Sequence, residues 1–384
     1  MNISKIQKKY LKYKQKYINL KEIIGGGIEA SYTISGNKLT LKYKLKGTER
    51  EIKYTIKEEL GQGTFGIVSL IENDDDTMNK YIFKKSKKDF SRDSYNEGIN
   101  SNMLTGILDD MLVLFQGTIE SDFLISRYNG KDLVKEFRCE SQKIKEKYAT
   151  TTIQLLELLH KINSNDIFHN DIKLANITIN DNDKVYLIDF GLLSTQKSKL
   201  GTLLSMSYRS VIDLLEQSDL KKYRTIHLHL KSFLKYTDIF AFFYCCINLL
   251  FLSNDQFSLS DLFRNLNISG FNPISMYNLF LLYYFILPES KKNITTDNIY
   301  DVLLPTSLYA KCIFGNFIDD NTNLFRFMAF IYNNIELHLR LNKTQQTWYI
   351  DFLKIMSTCF LPDFDYNNFK PIFNGIVLNF SQLS

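Results

Sequence analysis

His169-Asn170-Asp171-Ile172-Lys173-Leu174-Ala175-Asn176, followed by Asp189-Phe190-Gly191, is the stretch whose reading decides the fold. Between the two lie Ile177-Thr178-Ile179, the polar Asn180-Asp181-Asn182-Asp183, and Val185-Tyr186-Leu187-Ile188. Short apolar runs around a turn-forming quartet predict a strand, a hairpin turn and a second strand. Such a hairpin carries Asp171, Lys173 and Asn176 at one end and Asp189 at the other. Two carboxylates, an amide and an amine suit a Mg²⁺–triphosphate. Hard oxygen donors hold the cation, and one carboxylate is left to orient an incoming hydroxyl. The bland reading is a polar loop between core strands.

Working outward, the segment resembles the catalytic loop and metal-binding loop of the eukaryotic-type protein kinases, H-R-D-x-K-x-x-N followed by D-F-G. Asn170 stands where the family has Arg, and the other signature positions match. The resemblance implies an α+β, bilobal protein-kinase-like fold with a small β-rich N-lobe and a large, mainly helical C-lobe. It implies Asp171 as the catalytic carboxylate, Lys173 on the γ-phosphate, and Asn176 and Asp189 as Mg²⁺ ligands, with Mn²⁺ as an alternative metal. His169 is structural in the family, and His160, at the end of a helix predicted over Ser141–Lys161, reads as structural too.

Upstream, Gly61-Gln62-Gly63-Thr64-Phe65-Gly66-Ile67-Val68 matches the kinase G-x-G-x-x-G-x-V loop at every fixed position. Alone, G-x-G-x-x-G is a weak signal. Here predicted strands flank it, whereas a dinucleotide-binding fold places a helix after it. The glycines let backbone close over phosphates, and Val68 covers one face of adenine. Tyr81-Ile82-Phe83-Lys84 fills the place of V-A-I-K. Lys84 then reaches the α- and β-phosphates. Lys85 is the competing choice, but it would turn Phe83 toward adenine. Glu97, in a helix predicted over Arg92–Leu104, is the ion-pair partner for Lys84, and Gly98 weakens that helix by about 1 kcal/mol relative to Ala.

Strands are predicted at Lys38–Leu45, Glu51–Ile56, Met111–Phe115 and Asp122–Ile125, with a turn at Lys46–Glu49. Phe123–Gly130 resembles the inter-lobe hinge that holds ATP, with Ser126 at the gatekeeper position and Tyr128 beside it. Gly201-Thr202 through Arg209 resembles the end of an activation segment. Arg209 replaces the usual Glu, and Asn170 removes the Arg that pairs with a phosphorylated loop. The two departures imply activity without loop phosphorylation. Asp238 opens the apolar run Ile239–Leu252, where the family's Asp braces the catalytic loop; a plain helix cap is the bland reading. Helical patterns continue at Tyr277–Phe285 and Leu324–Leu341, and Lys222–Lys231 reads as an insertion.

The chain has 384 residues, 45% of them hydrophobic, enough for a large two-lobed domain with extensions. Four regions follow: a basic leader (1–30), an N-lobe with extra leading strands (31–128), a C-lobe (129–342) and a helical extension (343–384). The net charge of +5 is lopsided. Lys5, Lys8, Lys9, Lys12, Lys14, Lys16 and Lys21 with no acid supply +7, leaving about −2 for the rest. The basic character belongs to the leader, and no broad nucleic-acid patch is expected on the body. Ile3, Ile6, Tyr10, Tyr13, Tyr17, Leu20 and Ile24 mark an amphipathic helix suited to a partner helix or an acidic surface. A solvated basic helix with one sticky face, or at most a weak tether, is the preferred reading. The leader also resembles those of giant DNA virus proteins.

Five cysteines without a C-x-x-C pair fit a reducing compartment and no zinc site. The lysine-rich start lacks the apolar core of a signal peptide, and Ile239–Leu252 is short for a membrane span. A cytoplasmic location is expected, in a host or virion if the leader is viral. The resemblance implies a serine/threonine kinase acting on protein, since Lys173 follows the catalytic Asp by two. Small-molecule kinases of the aminoglycoside or choline type usually lack this Lys. A pseudokinase scaffold is disfavoured because Lys84, Glu97, Asp171, Asn176 and Asp189 are all present.

Overall fold

The computed structural model describes residues 28–62, 66–87, 91–118, 123–138, 140–193, 195, 237–252, 341–358 and 364–383. The leader, the activation segment from 196 onward, Arg209, the insertion and the helical patterns between 253 and 340 lie outside the described residues. The chain forms two compact units. The first holds the residues up to Gly130 together with Leu187–Leu193; the second holds Lys131–Tyr186 and the residues from Ser194 on. The secondary structure is mixed α+β.

In the first unit, strands β1 (Ile28–Ser35), β2 (Lys38–Leu45), β3 (Thr48–Gln62), β4 (Gly66–Asn73) and β5 (Asp76–Ser86) form antiparallel hairpins. The β2–β3 turn is the dipeptide Lys46-Gly47, with φ of +50° and +79°. Two positive φ angles are the signature of the tight turn whose twist matches flanking strands. The four-residue turn predicted there is therefore shorter, and β3 starts earlier and runs further than Glu51–Ile56. At the β4–β5 turn, Asp74 accepts Lys38 Nζ at 2.8 Å and Thr55 Oγ1 at 2.6 Å. These donors hold its carboxyl below the usual range.

Strand β6 spans Val113–Gln116 and β7 spans Phe123–Arg127. The predicted fourth strand thus loses Met111 to a 3₁₀ turn, Asp109–Met111. The order β1-β2-β3-β4-β5-β7-β6 closes on itself, because β1 pairs parallel with β6 at Ile28↔Phe115 and Glu29↔Gln116. The extra leading strands therefore complete a barrel. Alternation sends Leu39, Leu41, Tyr54, Ile71, Phe83, Phe115, Phe123 and Ile125 into one core. Tyr32 wedges edge-on between Phe83 and Phe123, with centroids 5.2 and 4.9 Å away. Helix α1 (Ser91–Ser101) packs on β6 and β7.

The second unit is built on α3 (Ser141–Asn163), which follows the short β8 (Lys131–Asp132) and α2 (Leu133–Phe137). Ile144, Tyr148, Thr151, Thr152, Leu155, Leu156, Leu159 and Ile162 make its buried stripe. Against it lies α4 (Thr237–Phe251), with Tyr148 Oη donating to Cys246 O at 3.3 Å. Cys245 and Cys246 are buried free thiols, as the apolar run predicts. Strand β9 (Ile177–Ile179) pairs with β8, and β10 (Val185–Leu187) completes a three-stranded sheet. Gln154 reads the β9–β10 turn, donating to Asp183 O at 2.7 Å and accepting Val185 N–H at 3.1 Å.

The C-terminal helices are α5 (Lys343–Ser357) and α6 (Tyr366–Val377). Asn342 and Gln345 form a reciprocal capping box at the start of α5. Trp348 joins the two helices, donating from Nε1 to Ile376 O at 2.8 Å. Among the described residues no helix is long and apolar enough to cross a membrane.

Candidate active site

The predicted residues fall into two clusters, one in each unit. In the first unit, strand register settles the lysine. Phe83 is 3% exposed in the barrel core, so the period of two turns Lys84 to the opposite face. Lys84 Nζ meets Glu97 Oε2 at 2.5 Å. Lys85 shares the Phe83 face and lies over the Tyr32 ring, 5.9 Å from its centroid. Val68 pairs with Lys84 across β4 and β5.

Burial pushes the Glu97 carboxyl above its ordinary value. Lys84 opposes that shift, Asp189 adds to it through like-charge repulsion, and a hydrogen bond with the Phe190 backbone opposes it. Asp189 adopts φ +65°, a left-handed conformation that Asp tolerates better than most residues. Asn100, one turn beyond Glu97 on α1, donates to Phe190 O at 3.2 Å and Gly191 O at 3.0 Å. This tie between α1 and the Asp-Phe-Gly turn was not anticipated. Its signal was available: a polar residue three positions after Glu97 shares that helix face.

Gly98 has a steric purpose beyond weakening the helix. A Cβ there would collide with the Gln116 side-chain oxygen. In the glycine-rich segment, Gly61 and Gln62 pair with Val68 and Ile67. A Cβ on Gly66 would run into the Lys85 carbonyl. Gly63, Thr64 and Phe65 lie outside the described residues. Ser126 sits on β7 opposite Ile82. Tyr128 gives its backbone N–H to Lys80 O at 3.0 Å, so that donor is spent inside the sheet.

In the second unit, Asp171 is 8% exposed. Its Oδ2 accepts Lys173 Nζ at 2.7 Å and Asn176 Nδ2 at 2.8 Å. Asn176 also donates to Asp171 O at 2.9 Å, closing the 3₁₀ turn Leu174–Asn176 onto the loop. The carboxylate is thus oriented by two side chains. Asn170 has φ +64°, and Asn is among the few residues at ease there. His169 Nδ1 accepts the Asp171 N–H at 3.3 Å, a structural contact.

Asp238, fully buried on the first turn of α4, anchors this loop. It accepts His169 N–H at 2.8 Å on Oδ2 and Asn170 N–H at 3.0 Å on Oδ1. Its carboxylate serves the loop, as the family resemblance implies. Oδ2 also accepts Asn163 Nδ2 at 3.0 Å. Cys245 lies close enough to feel Asp171, and burial with that charge pushes its thiol far up and keeps it inert.

Each cluster carries an oxygen donor of the kind a hard divalent cation takes, the Asp189 carboxylate in the first unit and the Asn176 amide oxygen in the second. Mg²⁺ is bound through one or two protein oxygens plus phosphates rather than by a protein cage. The described residues hold no cluster of three or more His, Cys, Asp or Glu that could form such a cage.

A model of the protein kinase domain matches residues 54–210, a span that includes both clusters apart from Asp238. The mitogen-activated protein kinase mpkC of Aspergillus terreus is 27% identical over 181 residues, covering 44% of this chain and 47% of that one. The probable serine/threonine-protein kinase YbdM of Bacillus subtilis is 30% identical over 152 residues, 36% and 57% of the two chains. The mitogen-activated protein kinase HOG1 of Kluyveromyces lactis is 26% identical over 184 residues, 45% and 40%. This chain spans about half the length of the curated relatives it matches. Residues 54–210 are therefore similar to the protein kinase domain and distantly similar to serine/threonine and mitogen-activated protein kinases. These three relatives are fungal and bacterial, and they give the leader's viral resemblance no support.

Proposed function

We propose that the chain is an ATP- and Mg²⁺-dependent protein kinase that transfers the γ-phosphoryl group to Ser or Thr hydroxyls of protein substrates. The observation that carries this is the oriented Asp171, held by Lys173 and Asn176 on a loop whose backbone is pinned by Asp238. Asp171 orients the attacking hydroxyl and takes its proton late in transfer. Lys173 offsets negative charge on the γ-phosphate oxygens as the bond to the leaving oxygen lengthens. Lys84, fixed by Glu97, binds the α- and β-phosphates. Asn176 and Asp189 are the residues that would hold Mg²⁺, which when bound neutralises charge on the polyphosphate.

The test is transfer from γ-labelled ATP with Mg²⁺ to a protein mixture, comparing the full chain with Asp171→Asn. Phosphoserine or phosphothreonine formed by the wild type and reduced about 10²-fold or more in the variant supports the assignment. ATP binding without transfer by the wild type overturns it and favours a binding scaffold or a small-molecule substrate.

A further inference from the structure

Tyr366 opens α6, about two hundred positions after the catalytic loop in sequence and next to its support in space. The phenol donates to Asn163 Oδ1 at 2.7 Å. Asn163, at the end of α3, gives its Nδ2 to Ile167 O and to Asp238 Oδ2, both at 3.0 Å. Asp238 then takes the backbone N–H groups of His169 and Asn170. The direction of each bond is forced. A carbonyl and a carboxylate can only accept, so the amide nitrogen must face them and the amide oxygen must face the phenol. Tyr366 is 2% exposed and Asn163 1% exposed, so bulk water does not reach this pair.

We infer that Tyr366 and Asn163 are positioning residues for Asp171, making the C-terminal helix α6 part of the catalytic loop's support. The phenol locks the Asn163 amide in the one orientation that can brace Asp238. Asp238 in turn sets the backbone from which Asp171 projects. The ring is held independently of the hydroxyl. It stacks on His160 at 4.7 Å and 10°, and meets Phe364 edge-on at 5.0 Å. Removing the hydroxyl alone leaves that packing and orphans Asn163 Oδ1.

The inference rests on the kinase reading for its catalytic consequence, and its structural part can be tested apart from that reading. In full-length Tyr366→Phe, amide exchange at His169 and Asn170 rises about tenfold, while core amides of α3 stay near wild type. The kcat for phosphoryl transfer falls about tenfold with KM for ATP unchanged, as expected when the reacting carboxylate is misaimed. The double variant with Asn163→Ala is no worse than Asn163→Ala alone, because both changes break one series of bonds. A Tyr366→Phe protein with a lower Tm but wild-type loop exchange and kcat would show a merely structural tyrosine and overturn the inference. Additive losses in the double variant would do the same. If the wild type transfers no phosphate, the kinase reading fails, while the exchange comparison still decides whether α6 braces the loop.

Discussion

Replacing Glu97 with alanine takes the 2.5 Å carboxylate contact from the Lys84 ammonium at a site where the lysine side chain is only 24% exposed. Removing one member of a buried ion pair costs about 3–5 kcal/mol, most of it from the charge left behind. Lys84 keeps some water, and the negative Asp189 lies close to Glu97, so the cost belongs at the lower end, about 3 kcal/mol. At 1.4 kcal/mol per tenfold, amide exchange along α1 should quicken about 140-fold. Glu97→Gln keeps an acceptor oxygen, the volume and the neutral state that burial favours, and should cost much less than alanine. Lys84→Met with Glu97→Leu should recover most of the alanine loss, because both charges of the buried pair are then replaced by apolar side chains.

The pH dependence carries a sign. The folded carboxyl titrates above its unfolded value near 4.5, because burial outweighs Lys84. The native state therefore holds the extra proton, and the stability Glu97 contributes is full below 4.5 and falls as pH rises through the folded value. Glu97→Gln should remove that fall. The assay is hydrogen exchange of residues 91–101 at several pH values. Wild-type exchange in Glu97→Ala, or no recovery in the double variant, would refute the reasoning.

Gly98→Ala should gain helix propensity of about 1 kcal/mol yet lose more by driving its methyl into Gln116, for a net loss of about 1 kcal/mol. Adding Gln116→Ala should relieve that loss, and exchange along α1 measures both. His160 is held below its usual pKa by burial and Lys370, opposed by Asp365 and Glu157. Its unfolded form takes the proton first, so its contribution to stability is present above pH 6.5 and is lost as pH falls through the folded value. The single tryptophan, Trp348, lies in the same unit and reports unfolding there. His160→Gln should flatten the slope between about pH 7 and 5, and an unchanged slope would reject the assignment.

The local chemistry of the site was legible because it is local. Asp171, Lys173 and Asn176 lie within one turn of chain, and their mutual hydrogen bonds follow from that spacing. Lys84 follows from strand phase and Glu97 from being the only acid between Asp93 and Asp109, and the two meet. Strand ends were less legible. The Lys46-Gly47 turn needs two positive φ angles, and alternation alone cannot say how few residues make the bend.

What the sequence determined by itself was whatever short-range sterics, alternation and residue chemistry dictate. That covers the hairpins, the buried stripe of α3, the apolar α4 and the mutual contacts of Asp171, Lys173 and Asn176. Tertiary structure alone decided the pairings between distant segments. The parallel register of β1 with β6 joins strands with no turn between them, so nothing near either one encodes it. Asn163 and Tyr366 stand 203 positions apart, each an ordinary polar residue in its own helix. Their bond exists because burial strips both of water, and a buried amide with one free acceptor must find a donor wherever the packed chain supplies one.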